Sequence, residues 1–525
     1  MKTQLWTAAL ALLVAPTAEA VDFWFALDTS SDPPPADTVH YTTVEAACKA
    51  AYAADKAYFE GRQSQELLAY VPPTFEQGSA NAPLYNCNQN WQYTIDGSSW
   101  TLDYLPHLIT RQGDACPSGL VYDLVAGQCE SIDDFNRRRQ MGDPNDNPNN
   151  DPNDCQGNPV NAAIGNKFEL ETDFEDQDGE LAFHRYYNGL DGGWRHSYGA
   201  TLAVGSTSAS LTFDDGRVSL FVINGSVVTG EPSERGSLAS KNGVWTYSGP
   251  DNRTMTFDGQ GQLSSVRLPD GRTSTIKHGY DADFNPQVTV TGSQGRSLVW
   301  TEDTSGNLAT LTVSGLSVTY AYGVPGQLLS ATRVQSGKTT SRSYLYEVSG
   351  NPALLTGITD ERGVRFATWA YDDQGRAVSS EHAGGAEKVT IAYNADGTTT
   401  VTNALGHVVT YTYALAAGTM RMSKVVGSPV PGCPISDSSF TYDARGQIAT
   451  QADALGHITA FAYDTQGRIT TKTEAKGTAQ ERVTTTAWDG TSFRPKTVTT
   501  PDRVTTYTYD TKGRLTGTKV SVRVH

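Results

Sequence analysis

At 525 residues the chain has room for two to four domains. Hydrophobic residues make up 38%, and Gly, Thr, Val and Tyr crowd the second half. That mixture suits strands and turns over thin cores and argues against a helical bundle. A formal net charge of −17 opposes a nucleic-acid backbone as partner, and no later apolar run reaches membrane-spanning length, so neither nucleic acid nor a membrane span is expected.

Residues 1–20 read as a secretory signal peptide. Lys2 supplies the positive start, Leu5 to Val14 the apolar run, and Ala18-Glu19-Ala20 the small-x-small cleavage site before Val21. The expected destination is therefore outside the cytoplasm, secreted or at the cell surface. An oxidising destination gives meaning to Cys48, Cys87, Cys116, Cys129, Cys155 and Cys433.

Residues 21–141 form a small cysteine-containing N-terminal module. Val44 to Tyr58 is its helix, followed by strands that carry Trp91, Tyr93, Trp100 and Tyr104. Cys116 and Cys129 bracket two short strands around a turn and are the first candidate disulfide, with Cys48 and Cys87 the second. Six cysteines allow many other connectivities, and Cys155 and Cys433 stay open, free or paired. No Cys-x-x-Cys pair occurs, which argues against zinc. Arg137-Arg138-Arg139, the only basic run, reads as a solvated loop.

Residues 142–155 are rich in Asp, Asn and Pro and read as a linker. The text then changes. Gly157-Asn158-Pro159-Val160-Asn161, Gly165-Asn166-Lys167, Arg185-Tyr186-Tyr187-Asn188 and Trp194-Arg195-His196-Ser197-Tyr198 punctuate alternating segments, so residues 156–250 read as a β-domain. Within it, Phe213-Asp214-Asp215-Gly216-Arg217 already has the look of the turns that follow.

From residue 251 to 525 one unit recurs. Aromatic-Asp-x-x-Gly occurs at Phe257, at Tyr371-Asp372…Gly375, Tyr442-Asp443…Gly446, Tyr463-Asp464…Gly467 and Tyr509-Asp510…Gly513. With Tyr280, Trp300, Tyr322, Tyr346, Tyr393, Tyr413 and Trp488 as degenerate members, the spacing stays between 20 and 29 residues, which marks a repeat architecture. Each unit reads as a β-hairpin: the aspartate bonds forward to turn amides and the glycine supplies a positive φ at a bulge. Asn403-Ala-Leu-Gly-His407 and Asp453-Ala-Leu-Gly-His457 repeat a second corner. The 29-residue interval absorbs an insertion around Cys433.

These residues resemble the tyrosine-aspartate (YD) repeats of the RHS family, with Thr506-Tyr507-Thr508-Tyr509-Asp510-Thr511-Lys512-Gly513-Arg514-Leu515 nearly a consensus copy. Residues 156–250 resemble the uncharacterised domain that commonly precedes such repeats in secreted members. The resemblance implies a mainly β chain: a long spiralling antiparallel sheet of hairpins, part of an RHS β-cage. Family members build such shells around a C-terminal, often toxic, cargo in contact-dependent competition between bacteria, and others have been regarded as carbohydrate-binding surface proteins.

The residues themselves carry little catalytic promise. There is no His-Glu-x-x-His, Gly-x-Ser-x-Gly, P-loop or dinucleotide-binding pattern. His196-Ser197 with His184 reads as a set of polar anchors, and His407 and His457, at one repeat position, as structural. The expectation is a non-catalytic scaffold without cofactor or metal. Its partner would be a C-terminal or separately encoded toxin cargo or, on the alternative adhesin reading, cell-surface glycans.

Overall fold

The computed structural model describes residues 128–145, 147, 155–205, 207–303, 305–323, 326–427 and 437–523, and before residue 124 only short strands and part of one helix. The signal segment, Cys116 and Cys433 lie outside the described residues, as do the side chains of Cys87, Cys129 and Cys155. The chain divides into two units, residues 1–132 and 133–525.

In the first unit Trp24–Leu27, His107–Gln112, Ala82–Cys87 and Phe75–Ser79 pair in that order, Trp91–Ile95 pairs with Ser98–Leu102, and Leu120–Asp123 with Gln128–Ser131. Residues 47–51 are helical, with Cys48 fully buried and disulfide-bonded. The pairings Cys48–Cys87 and Cys116–Cys129 stand as proposals.

The second unit is almost wholly antiparallel β. Its largest sheet has 26 strands, from Ser237–Lys241 to Leu515–Val522, each hydrogen-bonded to its neighbours in sequence, and it does not close on itself. Sequential order follows from the sequence: most corners are only a few residues long, and a short corner joins adjacent antiparallel strands. Side chains alternate between faces, so Val288 and Val290, Leu298 and Trp300, and Thr399 and Val401 are buried together.

One face of the early strands is covered. Cys155–Gln156, Val160–Asn161, Asn166–Glu175, Ala182–Asn188 and Gly193–His196 form a five-stranded sheet, and Thr201–Val204 to Val227–Gly230 a four-stranded one. Phe183, Tyr187, Leu202, Leu211 and Phe221 share a core with Trp300, Tyr344 and Trp369 of the long sheet. A second cluster joins Val160 and Ala162 to Ile391, Tyr411 and Val425.

The long sheet also curls back on itself. Phe493 N–H donates to Asn252 Oδ1 (2.8 Å) and Arg494 Nη2 to Pro269 O (3.0 Å), joining positions more than two hundred residues apart. The right-handed twist of adjacent strands, accumulated over ten repeats, provides the curvature.

The helix Ile132–Arg139 corrects the solvated-loop reading of the arginine run. Arg139 is buried, its Nε 2.7 Å from Glu231 Oε2, its Nη1 donating to Ala417 O (3.1 Å) and its Nη2 to Ser233 Oγ (2.6 Å). Its partners are remote in sequence, so the run's local composition gave no sign of them.

Candidate functional site

The repeat corner is a compact electrostatic device. Asp464 Oδ1 accepts the backbone N–H groups of Gln466 and Arg468 (both 3.0 Å), and its Oδ2 accepts Arg468 Nε (2.8 Å). Gly467 N–H donates to Asp464 O, with Gly467 at φ 74°, a conformation that costs a residue with a Cβ about 1–2 kcal/mol. A one-residue slip between Ala462 and Tyr463 sets Tyr463 opposite Ile469, the bulge that such a turn requires.

Asp372 and Asp510 repeat the arrangement with Arg376 and Arg514, while Asp443 bonds to the N–H groups of Arg445 and Gln447. Gly375, Gly446 and Gly513 take the same positive φ. Only a short carboxylate or carboxamide reaches both amides, which accounts for Asp or Asn at this place.

His407 and His457 stand where arginine stands elsewhere. Their N–H groups donate to Asn403 and Asp453 Oδ1, and the His457 ring Nδ1 lies 2.9 Å from Asp453 Oδ2. The His457 ring, and then its backbone N–H, hold the Asp453 carboxyl below its ordinary 3.8. The Arg514 backbone and side chain do the same for Asp510. At Asp464 partial burial works the other way and is outweighed by the bonds from Arg468.

From Tyr371 onward the corner aromatic commonly ties a repeat to the one before. Tyr393 donates its phenol to Ala377 O (2.8 Å), Tyr463 to Ile448 O (2.8 Å) and Tyr509 to Pro495 O (2.9 Å). Trp488 uses its indole N–H on Ile469 O (3.0 Å), and Tyr371 reaches Leu355 O (2.6 Å). At these corners an aromatic with a polar tip serves twice: the ring covers the strand and the tip satisfies a carbonyl just past the preceding corner.

The motifs of the preceding domain clamp onto this aromatic face. Arg185 makes a fork-like pair with Asp173 (Nε–Oδ2 2.6 Å, Nη2–Oδ1 3.0 Å) and donates to Tyr344 Oη (2.8 Å), while Tyr320 donates to Asp173 Oδ2 (2.7 Å). Tyr187 donates to Ala353 O and accepts from Leu355 N–H. Asn188 Oδ1 accepts from Gly142 N–H and Asn166 Nδ2. Trp194 Nε1 donates to Tyr346 Oη, Trp369 Nε1 to Asn158 O, and the Lys167 ammonium lies 4.1 Å over the Trp369 ring. Nothing within these motifs names their partners; the signal in the sequence is the polar residues set among apolar alternation, each of which needs a distant partner when buried.

His196, Ser197 and His184 hold the same fold together. The His196 ring stacks on Phe183 (5.1 Å) and meets Trp300 edge-on (4.9 Å), and burial lowers its pKa to about 4. Ser197 Oγ accepts from the His184 backbone N–H (2.8 Å), and His184 Nδ1 lies 3.0 Å from Thr172 Oγ1. Among the described residues no group of three His, Cys, Asp or Glu side chains is placed to hold a metal ion.

Two family models match the chain: a domain of unknown function (DUF6531) over residues 157–221, and the RHS Repeat over residues 442–479. No curated protein matches the sequence. Among solved structures the chain is similar to TcdB2-TccC3-TEV, with 15% identity and a TM-score of 0.32 over 68% of this chain. It is also similar to TcdB2-TccC3 without its hypervariable C-terminal region, with 14% identity and a TM-score of 0.30 over 70% of this chain. The chain spans 19% of the length of each. A recurring Tyr-Asp-x-x-Gly corner, a sheet in sequential order and the two models matched in this succession together identify the chain as an RHS/YD-repeat protein.

Proposed function

We propose that this chain is an exported, non-catalytic scaffold that forms part of a β shell in a bacterial polymorphic-toxin or contact-dependent competition system, where it holds a cargo polypeptide encoded C-terminally or separately. The observation that carries the reading is the disposition of the 26-stranded sheet. Its early strands are covered by the preceding domain, whereas the buried apolar clusters of the unit stop at Val425, leaving the later strands with a thin, partly exposed face. Polar corners, aromatic clamps and a curled strip suit containment rather than bond making.

Export from the signal peptide is tested by sequencing the N-terminus of the protein recovered outside the cytoplasm; a start at Val21 supports it, and an intact Met1 in that fraction contradicts it. Shelter is tested with a protease-sensitive reporter fused after residue 525. Cleavage much slower than that of the free reporter supports the shell, and equal rates contradict it. The adhesin alternative draws on the exposed Thr- and Tyr-bearing strands, and specific, competable sugar binding on a glycan array would favour it.

A further inference from the structure

A cavity of about 1260 Å³ lies between residues 228–267 and the corners at 443–494, where the curled strip meets its own beginning. Four half-buried arginines line it: Arg235, Arg267, Arg445 and Arg494. Arg445 donates Nε to Pro232 O and Nη1 to Asp464 O and Thr465 O, and Arg494 donates to Pro269 O. Carbonyls orient a guanidinium and leave its charge uncompensated. Among the described residues, Arg235 and Arg267 have neither an ion pair nor a side-chain hydrogen bond.

The carboxylates on the same wall are committed elsewhere. Glu231 pairs with Arg139 (2.7 Å), and Glu234 accepts from the Ser219 and Tyr247 hydroxyls and Gly236 N–H. Asp464 is held by Arg468, and Asp443 gives its Oδ1 to its own corner. Arg235 is further disfavoured as a cation by burial and by Arg421 and Arg217, against the pull of Glu234. A chain of net charge −17 thus gathers at one seam four guanidiniums that, among the described residues, have no ion pair of their own.

We propose that this seam binds a tetrahedral oxyanion, a phosphate or sulfate group either free or esterified on a larger molecule, in the fork of Arg235 and Arg445 with Arg267 and Arg494 beside it. Planar guanidiniums match such oxygens two at a time, and partial exclusion of water strengthens each contact. Phe461 and Phe493 on the same wall offer apolar surface to a skeleton bearing the ester. The proposal goes beyond the scaffold reading and does not depend on it.

The test is calorimetric titration of the full chain at constant ionic strength with inorganic phosphate, inorganic sulfate and a sulfated oligosaccharide. Saturable binding is expected in at least one arm, weakened at least about tenfold by Arg235→Gln and by Arg445→Gln and unchanged by Lys519→Gln. Tighter binding of the oligosaccharide identifies the esterified source, and binding of the inorganic ions alone the free one. Should Arg235→Gln fail to fold, Arg267→Gln takes its place. Absence of saturable binding in every arm, or binding that the arginine variants leave intact, overturns the proposal.

Discussion

Two residues of a corner act at once: an aspartate with one carboxylate oxygen on two amides and the other on the cation four residues on, and a glycine that lets the chain turn through positive φ. At Gly467 a Cβ would also stand 3.0 Å from Gln447 Oε1 and 3.2 Å from Arg235 Cγ. Gly306, at φ 76°, has open space around it. Gly306→Ala is therefore expected to cost about 1–2 kcal/mol from backbone conformation alone, and Gly467→Ala more than that, read as shifts in urea midpoint. Tyr371→Phe, which removes the phenol bond to Leu355 O, is expected to cost about 0.5–1.5 kcal/mol in the same assay.

Carboxyl groups at this scale pull stability in two directions with pH. Asp281, Asp303, Asp360, Asp453, Asp464 and Asp510 all titrate below their ordinary 3.8, so the folded chain binds fewer protons there than the unfolded one. Their contribution is present above pH 3.8 and is lost as pH falls through their depressed values. Asp214 and Glu231 are pushed up to about 7, chiefly by burial, so the folded chain binds more protons between 3.8 or 4.5 and 7. Their contribution is fullest below those ordinary values and declines as pH rises to about 7. Urea midpoints are expected to peak between about pH 4 and 5, with Asp214→Asn combined with Glu231→Gln flattening the decline toward 7. A wild-type midpoint that rises steadily from pH 4 to 7 would contradict this balance.

At the scale of elements, the preceding domain and the repeat sheet are welded by buried polar contacts as much as by apolar ones. Removing Asp173 would take the bidentate partner from buried Arg185 and leave it Glu171 at 3.9 Å, so Asp173→Ala is expected to destabilise by about 3 kcal/mol, whereas the paired replacement Asp173→Leu with Arg185→Met recovers much of that. Chemical denaturation of the single and double variants measures both. The hairpins, their period and their corner residues were legible in the sequence because every contact in a corner lies within four positions of Asp. The Arg185–Tyr344, Trp194–Tyr346 and Arg139–Glu231 contacts were not, because each joins segments 92 to 159 residues apart and nothing local names the partner. The seam of arginines was hidden for the same reason: its members come from four separate stretches.

For the molecule as a whole, stability should fall along the strip. Strands of the long sheet from Ser237 to Gly427 share buried clusters with the preceding domain, while those from Ser438 to Val522 rely on cross-strand pairs, the phenol clamps and the seam. Hydrogen exchange is expected to be slower in Val288–Trp300 than in Ile458–Thr473, and the reverse order would mean that the later repeats have a core of their own.

The strip of repeats winds back to meet its own beginning near Asn252 and Phe493. The most direct test replaces both with cysteine in the full chain, treats the folded protein with a short bis-maleimide, and maps the linked peptides by mass spectrometry. A 252–493 link formed within single chains at high yield is the expected result. Its absence, with both thiols reactive and the fold intact by circular dichroism, would contradict the wound sheet.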